Sequence, residues 1–181
     1  MVLIIFEGPE GSGKTTMSTM LSKLLGIPMW CRPEWLVSSQ CAKPELFRDF
    51  VEDEHSILKE IDWNKVDLIV DRYPTLSEHV YAFLRRNDYY CAMIPEGNVL
   101  VVYLTRTSAN RKKGVEKFTY DDLMGELEQR GTKVLRVWNV GKTKQQVLDE
   151  ILAGVCPQVF PQEKLKVLAV LAKEKGEGDK K

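Results

Sequence analysis

The stretch Val2 to Thr16, VLIIFEGPEGSGKTT, constrains this chain most. Five apolar residues, Val2 to Phe6, read as a buried strand. Gly8, Gly13, Lys14 and Thr15 then stand in the spacing G-x-x-x-x-G-K-[ST]. Met17, Met20, Leu21, Leu24 and Leu25 follow at helical spacing, and Gly26 marks the stop. Strand, glycine-rich loop and helix are the setting of a Walker A phosphate loop. Its glycines let backbone N–H groups turn inward around phosphate oxygens, and the helix adds its positive dipole end. The candidate triphosphate contacts are Gly8, Glu10, Gly11, Ser12, Gly13, Lys14, Thr15 and Thr16. Lys14 would reach the β- and γ-phosphates, and the Thr15 hydroxyl would hold Mg²⁺. A ligand-free glycine turn is the bland alternative, and the flanks argue against it.

The remaining pattern alternates continuous apolar runs with helical ones. Ile27–Cys31, Val66–Val70, Val99–Leu104 and Lys133–Trp138 read as further strands. Helices are expected from Pro44 to about residue 62, from Leu76 to Arg86, from Thr143 to Leu152 and from Pro161 to Leu171. Ser108–Lys117 reads as a short basic helix and loop. Thr119-Tyr-Asp-Asp122 resembles a capping box that opens a new helix. Strands without two-residue alternation, separated by helices, predict an α/β doubly wound, five-stranded parallel sheet with helices on both faces. Residues 1–174 form one expected domain with a lid near 108–118, and 175–181 an expected flexible charged tail.

Composition narrows the partners. Lys plus Arg and Asp plus Glu number 26 each, so no overall field draws the chain to nucleic acid. Four scattered cysteines and two histidines offer no metal-site spacing, and reduced thiols suit a cytoplasmic setting. No apolar run approaches the ~18 residues of a membrane span.

In a doubly wound sheet, ligands sit outside the carboxyl ends of the strands. That selects Glu7 to Thr15, Arg32 to Glu34, Asp71 to Tyr73 and the segment after Leu104. Asp71 closes a strand as an acid able to hold Mg²⁺, or else caps a turn. Arg72 could fork onto a phosphate or make a surface ion pair. Arg32 could clamp an acceptor phosphate or be an ordinary loop arginine. Tyr73 and Tyr81 could stack on an acceptor base or belong to the core. Arg111, Lys112, Lys113 and Lys117 surround Gly114 as a basic cluster, either a lid over the triphosphate or a solvated turn. His55 and His79 read as packing or surface residues.

In this order the motifs resemble the thymidylate kinase family. The resemblance is specific at Phe6–Thr16, Arg32-Pro33-Glu34 and Asp71-Arg72-Tyr73, and weaker through about residue 155. It implies transfer of the ATP γ-phosphoryl group to a deoxynucleoside monophosphate. It also implies that Lys14 and Thr15 serve ATP and Mg²⁺, that Glu10 contacts the acceptor sugar, and that Arg32 and Arg72 serve the acceptor. The loop carries no arginine, so the stabilising cation would come from the lid, with Arg111 the candidate. Family members are often homodimers.

Two departures lie on the acceptor side. Where the family carries A-D-R, this chain has Val51-Glu52-Asp53-Glu54-His55. Glu54 would repel an acceptor phosphate or take a hydrogen bond from a hydroxyl or base. The spacing from Tyr73 to Tyr81 is one residue longer. Alternatives are therefore a deoxynucleoside kinase, or a kinase of hydroxymethylated pyrimidine in DNA. Phage 5-hydroxymethyluracil DNA kinases, which act in host cytoplasm, resemble this family. A non-enzymatic nucleotide switch leaves Arg72 and the basic cluster without a task.

Overall fold

The computed structural model describes residues 2–31, 44–62, 65–86, 90–105 and 111–159. The five strands are β1 (Leu3–Glu7), β2 (Met29–Cys31), β3 (Leu68–Asp71), β4 (Val99–Thr105) and β5 (Lys133–Trp138). The helices are α1 (Lys14–Leu25), α2 (Pro44–Lys59), α3 (Pro74–Arg86), α4 (Arg111–Gln129) and α5 (Lys144–Val159). The sheet runs in the order β2-β3-β1-β4-β5, and every pairing is parallel. The expected doubly wound architecture is therefore the observed one.

β1 lies at the centre because it is apolar on both faces. Leu3 and Ile5 point into one core with Leu58 of α2, Leu76 and Val80 of α3, and Leu123, Met124 and Leu127 of α4. Val2, Ile4 and Phe6 point into the other core with Met17 and Leu21 of α1 and Val147, Leu148, Ile151 and Val155 of α5. Successive side chains leave a strand on opposite faces, so an unbroken apolar run is what two covering helix layers require. β4 divides the same way, with Val101 and Tyr103 on one side and Val102 and Leu104 on the other. α1 ends at Gly26, in the left-handed region at φ 67°, whose N–H donates to Ser22 O at 2.9 Å.

Some local expectations need correction. Residues 111–129 form one helix, so Thr119 does not open a new one. Its hydroxyl instead donates back to Val115 O, one turn earlier, at 3.0 Å. The 111–117 part of the expected lid is thus the first two turns of α4, and 108–110 lie outside the described residues. α3 starts at Pro74, two residues early, because proline suits the first helical position. α5 continues to Val159 rather than ending near Leu152. The expected last helix and the tail lie outside the described residues.

Candidate active site

The phosphate loop follows the end of β1 and depends on three left-handed glycines. Gly8 has φ 142°, Gly11 φ 70° and Gly13 φ 92°. Gly8 also passes very close to β4, since a Cβ there would lie 2.0 Å from Leu104 O. The loop leads into α1, and Gly11, Gly13, Lys14, Thr15, Thr16 and Arg72 line a cavity of about 330 Å³. Five predicted loop residues and one predicted acceptor residue therefore share one concavity.

Lys14 is only 3% exposed. Its ammonium donates to Gly8 O at 2.6 Å, Pro9 O at 2.7 Å and Ser12 Oγ at 3.3 Å. The charge is turned into its own loop. Burial, then the Arg72 charge, pushes the Lys14 pKa well below the usual lysine range, while Glu7, Asp71 and Glu116 pull it back up. A bound triphosphate would supply the anion this group lacks.

Asp71 ends β3 beside β1, because Phe6 and Asp71 are register partners. The Thr15 hydroxyl donates to Asp71 Oδ2 at 2.6 Å. The other oxygen, Oδ1, is buried and has no hydrogen-bond partner. The two residues assigned to Mg²⁺ from sequence are thus brought together, with one carboxylate oxygen left over. An oxygen donor set of hydroxyl plus carboxylate suits that hard cation.

Arg72 occupies the left-handed region at φ 72°, alone in this among the described non-glycine residues. Such a backbone costs about 1–3 kcal/mol and persists only where neighbours fix it. Here they do. The Arg72 N–H donates to Phe6 O at 3.0 Å, and the Tyr73 N–H donates to Glu7 Oε1 at 2.7 Å. The turn between β3 and α3 is stitched to the end of β1, which carries Arg72 to the loop. Its guanidinium donates to the Tyr81 hydroxyl at 3.0 Å and lies 6.0 Å from that ring's centroid.

Tyr73 is a correction. Its side chain is fully buried in the core with Val70, Leu76 and Val80, and its hydroxyl is 2.9 Å from His55 Nδ1. It contributes a backbone N–H to the site, not a stacking ring. His55 and His79 are buried packing residues, the latter 2.7 Å from Tyr90 O. Glu54 is half-buried on α2, and its charge raises the Tyr73 hydroxyl further after burial has done so. Glu10 is exposed. Arg32 lies outside the described residues, as do the side chains of Arg111, Lys112 and Lys113. Lys117 is engaged elsewhere, pairing with Asp121 and lying 5.4 Å from the Trp138 ring centroid.

Three further residues belong to the site: the strand-end rule selects Glu7 without giving it a role, and Asn139 and Glu116 escape a sequence reading. Glu7 is fully buried at the end of β1. Oε1 accepts from Tyr73 N–H and, at 3.3 Å, from the Ser77 hydroxyl, while Oε2 has no hydrogen-bond partner. Burial pushes its pKa up to about 7, against the opposing pull of Arg72 and Lys14. Asn139 follows β5, takes its place through an N–H donated to Thr105 O at 3.1 Å, and donates its amide to Ser12 O. With Ser12, Gly13, Thr16, Lys142 and Lys144 it lines a second cavity of about 130 Å³ beside the loop. Glu116 on α4 accepts from the Glu10 N–H at 2.8 Å. Scanning the carboxyl end of β5 as well would have flagged Asn139. Nothing local marks Glu116.

Known proteins resemble this chain in sequence and in fold. No family model matches the chain. A protein assigned as a thymidylate kinase in Methanococcus vannielii is 26% identical over 184 residues, spanning 82% of this chain and 92% of that relative. A protein assigned as an adenylate kinase in Sulfurisphaera tokodaii is 26% identical over 166 residues, spanning 87% and 85%. Among solved structures, the thymidylate kinase of Candida albicans superposes with a TM-score of 0.58 at 18% identity, covering 84% of this chain and 90% of that one. The deoxyadenosine kinase of M. mycoides, solved with dCMP and dCDP bound, has a TM-score of 0.56 at 14% identity, covering 84% and 97%. No described helix is long and apolar enough to cross a membrane. Loop, carboxylate and arginine stand together in a fold these kinases share, and the chain is similar to nucleotide kinases of the thymidylate kinase type.

Proposed function

We propose that this protein moves the γ-phosphoryl group of ATP to a deoxypyrimidine nucleotide, as a deoxynucleoside monophosphate kinase. One observation carries the reading: Lys14, Thr15 and Arg72 line a single cavity at the carboxyl end of a parallel sheet. The loop N–H groups and Lys14 would hold the donor phosphates. Thr15 and Asp71 would hold Mg²⁺, which when bound neutralises charge on the phosphates. Arg72 faces the same space from the β3–α3 turn and would hold the acceptor phosphate. Arg32 and Glu10 would assist on that side, with Glu54 and Tyr81 setting acceptor choice. A cation from the first turns of α4, Arg111 foremost, would close over the transferring group. Phosphoryl transfer of this kind needs positioning and charge stabilisation rather than a covalent intermediate.

A second reading is favoured by Glu7. A phosphate monoester attacks without losing a proton, whereas a hydroxyl must give one up. A buried carboxyl at the end of β1 whose pKa burial raises to about 7, with one oxygen lacking a hydrogen-bond partner, would take such a proton from an acceptor hydroxyl that reaches it. The acceptor under this reading is a deoxynucleoside or a hydroxymethyl group on a pyrimidine in DNA.

Radiolabelled ATP offered with dTMP, dUMP, other monophosphates, thymidine and DNA bearing 5-hydroxymethyluracil tests both. Labelling of a monophosphate alone supports the first reading, and labelling of thymidine or DNA alone supports the second. No transfer to any acceptor overturns both. Glu7→Gln sharpens the result. With a hydroxyl acceptor its kcat should fall about 10²–10⁴-fold, and with a monophosphate only a few-fold. The same variant carries a stability signature. Glu7 titrates higher in the folded chain than its ordinary 4.5. The folded state therefore holds a proton that the unfolded chain releases, and wild-type stability falls as pH rises from about 4.5 through about 7. Glu7→Gln should lose that part of the decline, read as melting temperature against pH.

A further inference from the structure

Glu116 has no place in the reaction as described, yet it is a carboxylate only 7% exposed. It sits on the second turn of α4 and has no cationic partner among the described residues' ion pairs. One oxygen, Oε1, serves two donors on two other elements. The Glu10 N–H of the phosphate loop donates at 2.8 Å, and the Tyr81 hydroxyl of α3 donates at 3.1 Å. A tyrosine has a single O–H. Tyr81 gives it to Glu116, so its oxygen is left to accept, and Arg72 Nη1 donates there at 3.0 Å. Burial pushes the Tyr81 hydroxyl up to about 12, so the proton stays on it. The order Arg72, Tyr81, Glu116 has one polarity, because a guanidinium only donates and a carboxylate only accepts.

We propose that Glu116 is a positioning residue that fixes where the Arg72 guanidinium stands relative to the phosphate loop, acting on Arg72 through Tyr81 and on the loop through the Glu10 N–H. The inference rests on the acceptor role of Arg72 proposed above. A guanidinium on a long side chain has several rotamers, and only one places it for an acceptor across from the donor phosphates. Tyr81 holds it by the hydroxyl and by the ring face. Tyr81 is itself oriented by the carboxylate that grips the loop. Aim and loop thus share one oxygen atom. The apparent alternative is that Glu116 only fills space under α4.

Full-length protein carrying Glu116→Leu, Glu116→Gln, Tyr81→Phe and Tyr81→Phe/Glu116→Leu separates the two. Leucine keeps the volume and removes the acceptor atom, while glutamine keeps an acceptor oxygen. In ¹⁵N spectra, Glu116→Leu should shift the Arg72 side-chain Nε–H and the Glu10 amide, and Tyr81→Phe should shift the Arg72 signal. With ATP and the acceptor that wild type labels, Glu116→Leu and Tyr81→Phe should each lower kcat about 10- to 100-fold. KM for ATP should change less than about threefold. Glu116→Gln should restore most of the rate, and the double variant should be no slower than the slower single one. Unmoved Arg72 signals in Glu116→Leu, or rate losses that multiply in the double variant, would overturn the relay. If wild type labels no acceptor, the function proposed above fails. The Arg72 signals then decide the relay alone, a shift in Glu116→Leu supporting it and no shift overturning it.

Discussion

Lys14→Ala is expected to lower kcat/KM by about 10³-fold or more while leaving the fold intact. The loss follows from charge. Among the described residues that line the cavity formed by the loop and Arg72, Lys14 supplies the one ammonium. Removing a group that stabilises developing charge in a water-poor site costs about 10²–10³-fold, and this one also holds the ground-state phosphates. The fold should tolerate the change because two effects oppose. Gly8 O and Pro9 O each lose a donor, while an ammonium buried to 3% exposure is removed. Melting should therefore move little, and tritiated or fluorescent ATP should bind weakly. Lys14→Arg should not rescue transfer, since the larger guanidinium does not fit the pocket of carbonyls that encloses Nζ. Transfer above about a tenth of wild type in Lys14→Ala would remove Lys14 from the catalytic machinery.

Gly8→Ala should be the most damaging single change for stability. Gly8 is at φ 142°, where L side chains are rarely found, and its added Cβ would lie 2.0 Å from Leu104 O, 3.0 Å from Leu104 C and 3.1 Å from Ser12 Oγ. Leu104 cannot easily retreat, because it is a fully buried β4 residue paired with Val137 of β5. Backbone strain and a backbone clash together should cost more than about 3 kcal/mol, roughly 6–12 °C in melting temperature for a chain of this size. Gly13→Ala gives the comparison. Gly13 is at φ 92°, but the nearest atom to its added Cβ is Asn139 Nδ2 at 3.9 Å. Only conformational strain remains, about 1–2 kcal/mol. Thermal melts of the two variants should rank in that order. Equal melting would mean that β4 does not press on Gly8.

The central part of the fold was legible because local and global signals agree there. Val2–Phe6 is apolar at every position, and only a strand covered on both faces needs that. The G-x-x-x-x-G-K-T spacing carries its own mechanism, so the loop could be read before any contact was known. Thr119 shows where local reading fails. A threonine followed by acids reads as a helix start, yet the same hydroxyl satisfies itself one turn back inside a continuing helix. Tyr73 shows a second limit. Its place after Asp71 left a ring facing the ligand and a ring in the core both open, and the left-handed turn at Arg72 sends the tyrosine into the core and leaves the arginine facing the cavity.

By itself, then, the chain determined the parallel α/β sheet and the spacing of the phosphate loop, and it named Thr15 and Asp71 as candidate cation ligands. Each rests on a spacing within one segment, or on strands ending together. Tertiary structure alone decided the remainder. Glu7 is fully buried, and its pKa is raised, only because α3 and the Arg72 turn cover it. Asn139 reached Ser12 only because the β4–β5 pairing brings residue 139 beside the loop. Glu116 met Tyr81 only because α3 and α4 pack together, and it accepts from the Glu10 N–H, 106 positions away, only because α4 lies beside the phosphate loop. Such contacts depend on how whole elements dock, and no short stretch of sequence encodes a docking.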